Sequence, residues 1–290
     1  MNRRGAVLFT AMCFIWGVPY LMIRVAVREL APVTLVFLRT AIGALLLVPF
    51  AAWRRELHPL VRRAWPLLAY TVIEVVIPWV LLAHAETKLT SSLTGLLIAA
   101  VPLVGAVVVA LTGARERQGR RRWLGLLVGI GGVAALVGLD VGQIDALAVA
   151  EVGGVAVCYA IGPIILSRRL SDVPALGVVA ASLVIAAAMY APFAAFRWPS
   201  SVPSAHVVES VIGLAVVCTA LAFLVFFALI AEVGPVRATV ITYVNPAVAA
   251  VLGVAILNEH LSVGMLVGFA LILGGCVLAT GKGPEPVPDP

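Results

Sequence analysis

The chain has 290 residues, of which 62% are hydrophobic and only 12% are charged, and its mean hydropathy is +1.12. A soluble domain carries roughly 25% charged residues, so this composition excludes a water-soluble fold and indicates that lipid surrounds most of the chain. The formal net charge of +6 does not indicate a nucleic-acid partner, because the basic residues lie in short loops between apolar runs.

Ten apolar runs follow one another along the chain, each close to the length of about 20 residues that crosses a hydrocarbon core of ~30 Å. They cover residues 5–27, 32–52, 64–84, 90–112, 123–140, 145–166, 174–195, 206–230, 235–257 and 262–280. The sequence therefore predicts an all-α integral membrane protein with ten transmembrane helices. Residues 282–290, rich in proline, are predicted to form a disordered cytoplasmic tail.

The distribution of basic residues predicts the orientation. With the N-terminus in the cytoplasm, fifteen of the 20 Lys and Arg residues fall in inner loops and three in outer loops. Arg24 and Arg39 lie within spans. Because positive charge accumulates on the cytoplasmic side, both termini are predicted to be cytoplasmic.

The second half of the chain repeats the first, since residues 88–133 align with residues 232–277. The matched pairs are Pro102 with Pro246, Glu116 with Glu259 and Gly125 with Gly268, and a single inserted residue brings all three into register. Each half then holds five spans, and because five is an odd number the halves insert in opposite orientations. The sequence predicts two inverted repeats, 1–140 and 141–281, with a substrate site near the midplane between them.

With these features the chain resembles the drug/metabolite transporter superfamily, in particular its ten-helix EamA family. The resemblance covers residues 5–281 and rests on Trp16-Gly17, on Arg39 opening the second span, and on the doubled proline and glutamate–glycine pattern. It implies a multi-pass secondary transporter that exports small organic metabolites, most often amino acids including aromatic ones, with YddG-type bacterial amino-acid exporters as one candidate branch. Multidrug or other metabolite efflux and lipid handling stay open as alternatives. Arginine outnumbers lysine eighteen to two, which with the resemblance favours the bacterial inner membrane.

Two ionisable side chains inside spans are candidates for the substrate site, because charge within the bilayer is costly and must face protein or water. Arg39 would attract a substrate carboxylate, or its side chain would snorkel to the outer headgroups. Glu74 lies midway through the third span. It would bind a proton or an ammonium group, or it would make an ion pair or hydrogen bond to another helix.

Aromatic side chains with a polar tip are the second group of candidates, because they can line a pocket for amphipathic solutes as well as pack a core. Trp16 and Tyr20 share one face of the first span with Arg24. The complete predicted substrate-binding set is Trp16, Tyr20, Arg39, Glu74, Trp79, Tyr159, Tyr243 and Asn245.

Proline and glycine supply the predicted moving and packing elements. Pro102 and Pro246 each remove a backbone hydrogen bond within a span and match across the repeat, so they are predicted to be paired hinges. Asn245, beside Pro246, would bond freed carbonyls or a substrate. Glycine pairs four residues apart in spans five and ten predict that these spans pack on each other or on a second protomer.

The sequence contains no HExxH, GxSxG or Walker A motif, and its four cysteines form no CxxC pair. We therefore expect no catalytic residue, no metal and no cofactor, and we expect the chain not to be an enzyme. The expected partners are a small-molecule substrate and the lipid bilayer, with no nucleic acid, and the expected state is a monomer or weak homodimer.

Overall fold

The structure is a computed structural model that describes residues 2–111, 120–138 and 145–280. Its regular elements within these ranges are all helical, as predicted. Glu116 and the predicted tail at 282–290 lie outside the described residues.

Ten apolar helical regions of the described chain, numbered α1 to α10, coincide with the ten predicted spans. They are α1 Arg3–Ala26, α2 Pro32–Trp53, α3 His58–Ala85, α4 Ser91–Ile98 with Val101–Leu111, α5 Arg120–Gly138, α6 Ala146–Arg169, α7 Ala175–Phe196, α8 Ala205–Val233, α9 Pro235–Ala238 with Ile241–Leu257, and α10 Val263–Thr280. By length and composition, seven of these described helices can cross a membrane, and α5, α9 and α10 are shorter apolar helices.

Three of these helices, α1, α4 and α9, are interrupted, and in α1 proline explains why. The first part of α1 ends at Ile15 and the second begins at Pro19, which has no N–H to continue the ladder. The Gly17 N–H donates to the Phe14 carbonyl at 3.0 Å and not to the Cys13 carbonyl, its partner in a regular α-helix. Breaks of this kind are tolerated in a membrane where the freed groups are buried in protein.

The two predicted hinge prolines both lie close after a break, although not in the same way. α4 is interrupted at residues 99–100, and Pro102 stands in the first turn of its second part. α9 is interrupted at residues 239–240, and Pro246 lies inside the second part of that helix. The structure thus places a discontinuity near each proline, and their role as hinges stays a prediction.

Helices α3 and α8 each contain a wide π turn, Val72–Val76 in α3 and Val216–Leu221 in α8. A π turn holds one residue more than an α turn and leaves backbone carbonyls for other donors. The hydroxyl of Tyr190 in α7 donates to the Val76 carbonyl at 2.6 Å. The Arg39 side chain of α2 reaches the other π turn at Thr219.

Helices α5 and α10 pack directly against each other along a seam of glycines. A Cβ built on Gly125 would lie 2.5 Å from the Ala279 nitrogen, and one built on Gly275 would lie 2.5 Å from the Gly129 nitrogen. Real side chains do not tolerate such distances to backbone, so only glycine permits this approach. The structure therefore shows the first of the two predicted packing arrangements.

The other eight helices form the main bundle around a shared core. α2 packs on α7, α3 on α6, α4 on α9, and α1 on α8, so every one of these pairs joins the first half of the chain to the second. The largest cluster of buried apolar side chains lies among α1, α2, α3, α7 and α8. Polar groups placed in this core are thereby removed from lipid.

Candidate functional site

The centre of the candidate site is Arg39, which is only 8% exposed although it lies two turns into α2. Its guanidinium stands over the Trp79 ring of α3 at 3.8 Å from the ring centroid. Its Nε donates to the Thr219 hydroxyl of α8 at 2.9 Å. A cation over an indole face is attracted by the ring quadrupole, and more strongly when water is excluded. The guanidinium is thus held inward by three helices and does not reach for the headgroups.

Tyrosines from three further helices surround this guanidinium. Tyr20 of α1, Tyr159 of α6 and Tyr190 of α7 lie within electrostatic range of Arg39. The Tyr159 phenol also lies near the Trp79 side chain. We call these five residues, Tyr20, Arg39, Trp79, Tyr159 and Tyr190, the central cluster. It brings together side chains from α1, α2, α3, α6 and α7, which makes it the meeting point of the bundle.

Glu74 lies beside the central cluster on the π turn of α3, and its carboxyl faces α6 at Gly162. A Cβ built on Gly162 would overlap the Glu74 Oε2 atom, so the absence of a side chain at Gly162 makes room for the acid. Oε2 is buried and has no hydrogen-bond partner among the described residues. A buried oxygen without a donor is costly, so this carboxyl is free to take up a proton or a cationic group.

The predicted site residues divide into two groups in the structure. Tyr20, Arg39, Trp79 and Tyr159 come together, with Glu74 next to them, from four different helices. Trp16 instead packs on two α8 rings, at 4.6 Å from Phe226 and 6.2 Å from Phe223 between ring centroids. Tyr243 is half-buried and packs on the apolar cluster that α10 shares with α4.

Asn245 joins the break in α9 to the break in α1. With its amide oriented so that both groups are satisfied, its nitrogen donates to the Cys13 carbonyl at 3.1 Å and to the Ile241 carbonyl at 3.0 Å. The Cys13 carbonyl is one that the interruption of α1 leaves without its usual donor. This geometry favours the bonding of freed carbonyls over substrate contact, the two readings that the sequence left open.

Several polar residues of the core were missed by sequence reasoning because short hydroxyl side chains give no signal in an apolar run. The Thr71 hydroxyl of α3 donates to the Ser182 hydroxyl of α7 at 2.9 Å. Thr219 also donates to the Leu214 carbonyl at 2.8 Å, across the π turn. Glu86, directly after α3, was missed because a loop acid is ordinarily exposed, but its side chain is fully buried.

A second polar site lies at the end of the bundle where α3 connects to α4. The Glu259 carboxylate, which follows α9, accepts from the backbone N–H groups of Ser91 and Ser92, each at 2.9 Å. It also accepts from both serine hydroxyls. Arg24 of α1 donates to the backbone carbonyl of Glu86 at the same end. Glu259 thereby supplies the negative charge that the N-terminus of α4 favours.

The described residues contain no group of three or more His, Cys, Asp or Glu side chains that could hold a metal ion.

Apolar helices with interrupted spans, enclosing a buried Arg and aromatic residues, define the class as a polytopic membrane transporter. The model of the EamA-like transporter family matches residues 3–138 and again residues 150–281. The chain belongs to the EamA-like transporter family of the drug/metabolite transporter superfamily.

Relatives of known sequence are named as transporters. The chain is 26% identical over 291 residues to the uncharacterized transporter YvbV of Bacillus subtilis (strain 168), covering 97% of this chain and 93% of the relative. It is 28% identical over 284 residues to the uncharacterized inner membrane transporter YedA of Escherichia coli (strain K12), covering 93% and 88%. One solved crystal structure shares the fold with a TM-score of 0.68 at 21% identity, over 97% of this chain and 98% of that one.

Proposed function

We propose that this transporter exports small organic metabolites, specifically amino acids including aromatic ones, by alternating access between two inverted five-helix repeats. The observation that carries the proposal is the central cluster, in which aromatic side chains surround one buried guanidinium and one of them, Tyr159, lies within electrostatic range of the Glu74 carboxyl. An amino acid carries a carboxylate, an ammonium group and a side chain. Each of these has a complementary partner in or beside the cluster.

The chemistry of each partner supports this assignment. Arg39 uses only its Nε in the described hydrogen bonds, so its two terminal amino groups are available to a carboxylate in a fork geometry. Trp79 and the tyrosines present ring faces and hydroxyls to an apolar or aromatic side chain. The Glu74 carboxyl would receive the ammonium group, or a proton that is exchanged for the substrate.

The internal repeat, with domains at 1–140 and 141–281, is supported by the spacing of the helices. α1 begins at Arg3 and its counterpart α6 at Ala146. The interval between the starts of α2 and α7 is identical, and the interval between the two π turns is longer by a single residue. The two separate matches to the family model agree with this division.

We propose further that both termini are cytoplasmic and that the protein resides in the bacterial inner membrane, as the name of YedA says of that relative. Glu29, in the α1–α2 connection, accepts from the Ser204 N–H at 2.7 Å, and in this orientation that contact and the α3–α4 connection face outward. The Arg63–Asp172 ion pair, at 2.5 Å, faces inward. Pro102 and Pro246 would act as paired hinges, and the working unit would be a monomer or weak homodimer. Impermeant labelling of single cysteines in these loops of intact cells tests the orientation.

The experiment that tests the proposed function is uptake and counterflow in proteoliposomes with a panel of radiolabelled amino acids, with and without a pH gradient. We expect saturable flux for amino acids with large apolar or aromatic side chains, and loss of that flux in Arg39→Ala. The matched control is Arg197→Ala, because Arg197 lies in a loop after α7. Absence of flux for every amino acid would refute the substrate class and favour multidrug efflux, other metabolites or lipid handling.

A further inference from the structure

Glu86 is the most completely buried charged residue of the described chain. It directly follows α3 and its side chain is 0% exposed. Neither of its carboxyl oxygens has a hydrogen-bond partner among the described residues. Buried polar atoms are nearly always hydrogen-bonded, so an acid with two unpartnered oxygens requires a physical explanation.

None of the charged neighbours of Glu86 forms an ion pair with its carboxyl among the described residues. Arg24 donates to the main-chain carbonyl of Glu86, and no described ion pair joins its guanidinium to the carboxyl. Glu259 approaches from the α9–α10 connection, but it is an acid whose oxygens are taken up by Ser91 and Ser92. Arg39 and Tyr20 belong to the central cluster and interact with Glu86 only electrostatically, without a hydrogen bond.

An ionised carboxylate is therefore not stable at this position. Burial raises the pKa of the Glu86 carboxyl well above its usual range, and the nearby Glu259 raises it further, whereas Arg24 and Arg39 act in the opposite direction. A neutral carboxylic acid avoids the cost of an unsolvated charge. A proton also requires no cavity, unlike a metal ion or an ammonium group, and so it fits an enclosed site.

We propose that Glu86 is a proton-binding residue of the outer gate, and that the gate closes over it only when the carboxyl is protonated. A proton from the external solution forms an O–H bond on the Glu86 carboxylate, and closure then buries the neutral acid between α1 and the α3–α4 connection. Loss of that proton to the external solution leaves a carboxylate that must be solvated, so the gate opens. Arg24 then turns from the Glu86 carbonyl to the carboxylate. The role as a gate rests on the proposed transport function, but proton binding does not.

The first test measures the proton directly and needs no substrate. Infrared spectra of the full-length protein in lipid at neutral pH are expected to show a protonated carboxyl band that disappears in Glu86→Gln. Glu151→Gln is the matched control, since Glu151 lies at the same end and its carboxyl has a partner, His84, at 2.8 Å. Glu86→Asp keeps a titratable group and is expected to retain a shifted band. A band unchanged in Glu86→Gln overturns the proposal.

The second test measures the gate. Ala85 is fully buried beside Glu86, and the four native cysteines are buried, so Ala85→Cys provides a reporter for an impermeant maleimide added outside. Labelling is expected to increase steeply with external pH, and to stay several-fold lower, with a shallower rise, when Glu86→Gln is added. Thiol reactivity itself rises with pH, so the comparison is between this matched pair. The same pH dependence of labelling in both proteins refutes the gate. Neither the infrared band nor the labelling requires transport, so a failure of the proposed transport function is distinguishable from a failure of this proposal.

Discussion

Replacement of Glu259 by glutamine is expected to destabilise the folded protein, because this side chain connects α9 to the start of α4. Glu259 follows Asn258, which adopts a left-handed backbone conformation with φ of 55° and so directs the chain back toward α4. Asparagine is among the few residues that adopt this conformation readily. The carboxylate then accepts the Ser91 and Ser92 N–H groups, both at 2.9 Å.

The magnitude follows from the groups that glutamine cannot replace. Its amide has one acceptor oxygen, so one of the two serine N–H groups loses its partner and faces an NH₂ donor. Loss of a hydrogen bond to a charged group costs about 1.5–3 kcal/mol. Loss of the charge at the helix N-terminus costs a further ~0.3–1 kcal/mol. We therefore expect Glu259→Gln to reduce the free energy of unfolding by about 2–4 kcal/mol.

The assay is reversible unfolding in mixed micelles, monitored by far-ultraviolet circular dichroism, with thermal melting as a second measure. Glu209→Gln is the matched control, because Glu209 is highly exposed and its contact to His206 is long at 3.8 Å. We expect the control to lie within about 0.5 kcal/mol of the wild type. A loss below about 1 kcal/mol for Glu259→Gln would refute the stabilising role of this carboxylate at the N-terminus of α4.

Three further changes probe the central cluster and the glycine seam. Arg39→Lys keeps the charge but loses the planar fork and the Nε donor, so KM for carboxylate substrates should rise roughly 10–100-fold, corresponding to about 1.5–3 kcal/mol; an unchanged KM in uptake kinetics would contradict the carboxylate role. Glu74→Gln should flatten the pH dependence of transport between about pH 5.5 and about pH 8, and a wild-type pH profile would remove its coupling role. Gly275→Ala should lower stability by roughly 2 kcal/mol or more through collision with the α5 backbone. Its neighbour Gly274 has nothing within 4 Å, so Gly274→Ala should leave stability unchanged or raise it slightly, and equal effects in a thermal melt would argue against the seam.

Hydropathy predicted the positions of all ten helices because a lipid-facing helix must be apolar along its whole length. It could not predict where those helices are interrupted or widened. The π turn at Val72–Val76 lies within an uninterrupted apolar run, and only the three-dimensional ladder reveals it. Pro102 did indicate a weak point, since proline lacks a donor, but the break in α9 precedes Pro246 by several residues.

The sequence predicted those residues of the candidate site whose side chains are costly to place in lipid. It did not predict the residues that carry no such cost. Arg39 and Trp79 were singled out because charge and large polar aromatics within a span require a reason. The contact between them depends on the packing of α2 against α3, which no spacing in the sequence specifies. Glu86 was overlooked for the opposite reason, because its position between spans suggested exposure. Its burial depends on parts of the chain that are distant in sequence, since Arg24 of α1 and Glu259 after α9 both lie near it.

The π turns of α3 and α8 also bear on the history of the chain. An α-helix accommodates a single inserted residue by widening one turn, and a π turn is such a widened turn. The two turns begin at Val72 and Val216, which correspond to each other in the proposed repeat. If both halves descend from one ancestral unit, the insertion occurred before that unit was copied. Glu74 in the first π turn and Cys218, its counterpart in the second, would then have diverged later. Both halves would have kept the π turn, and only the first half would carry the acid.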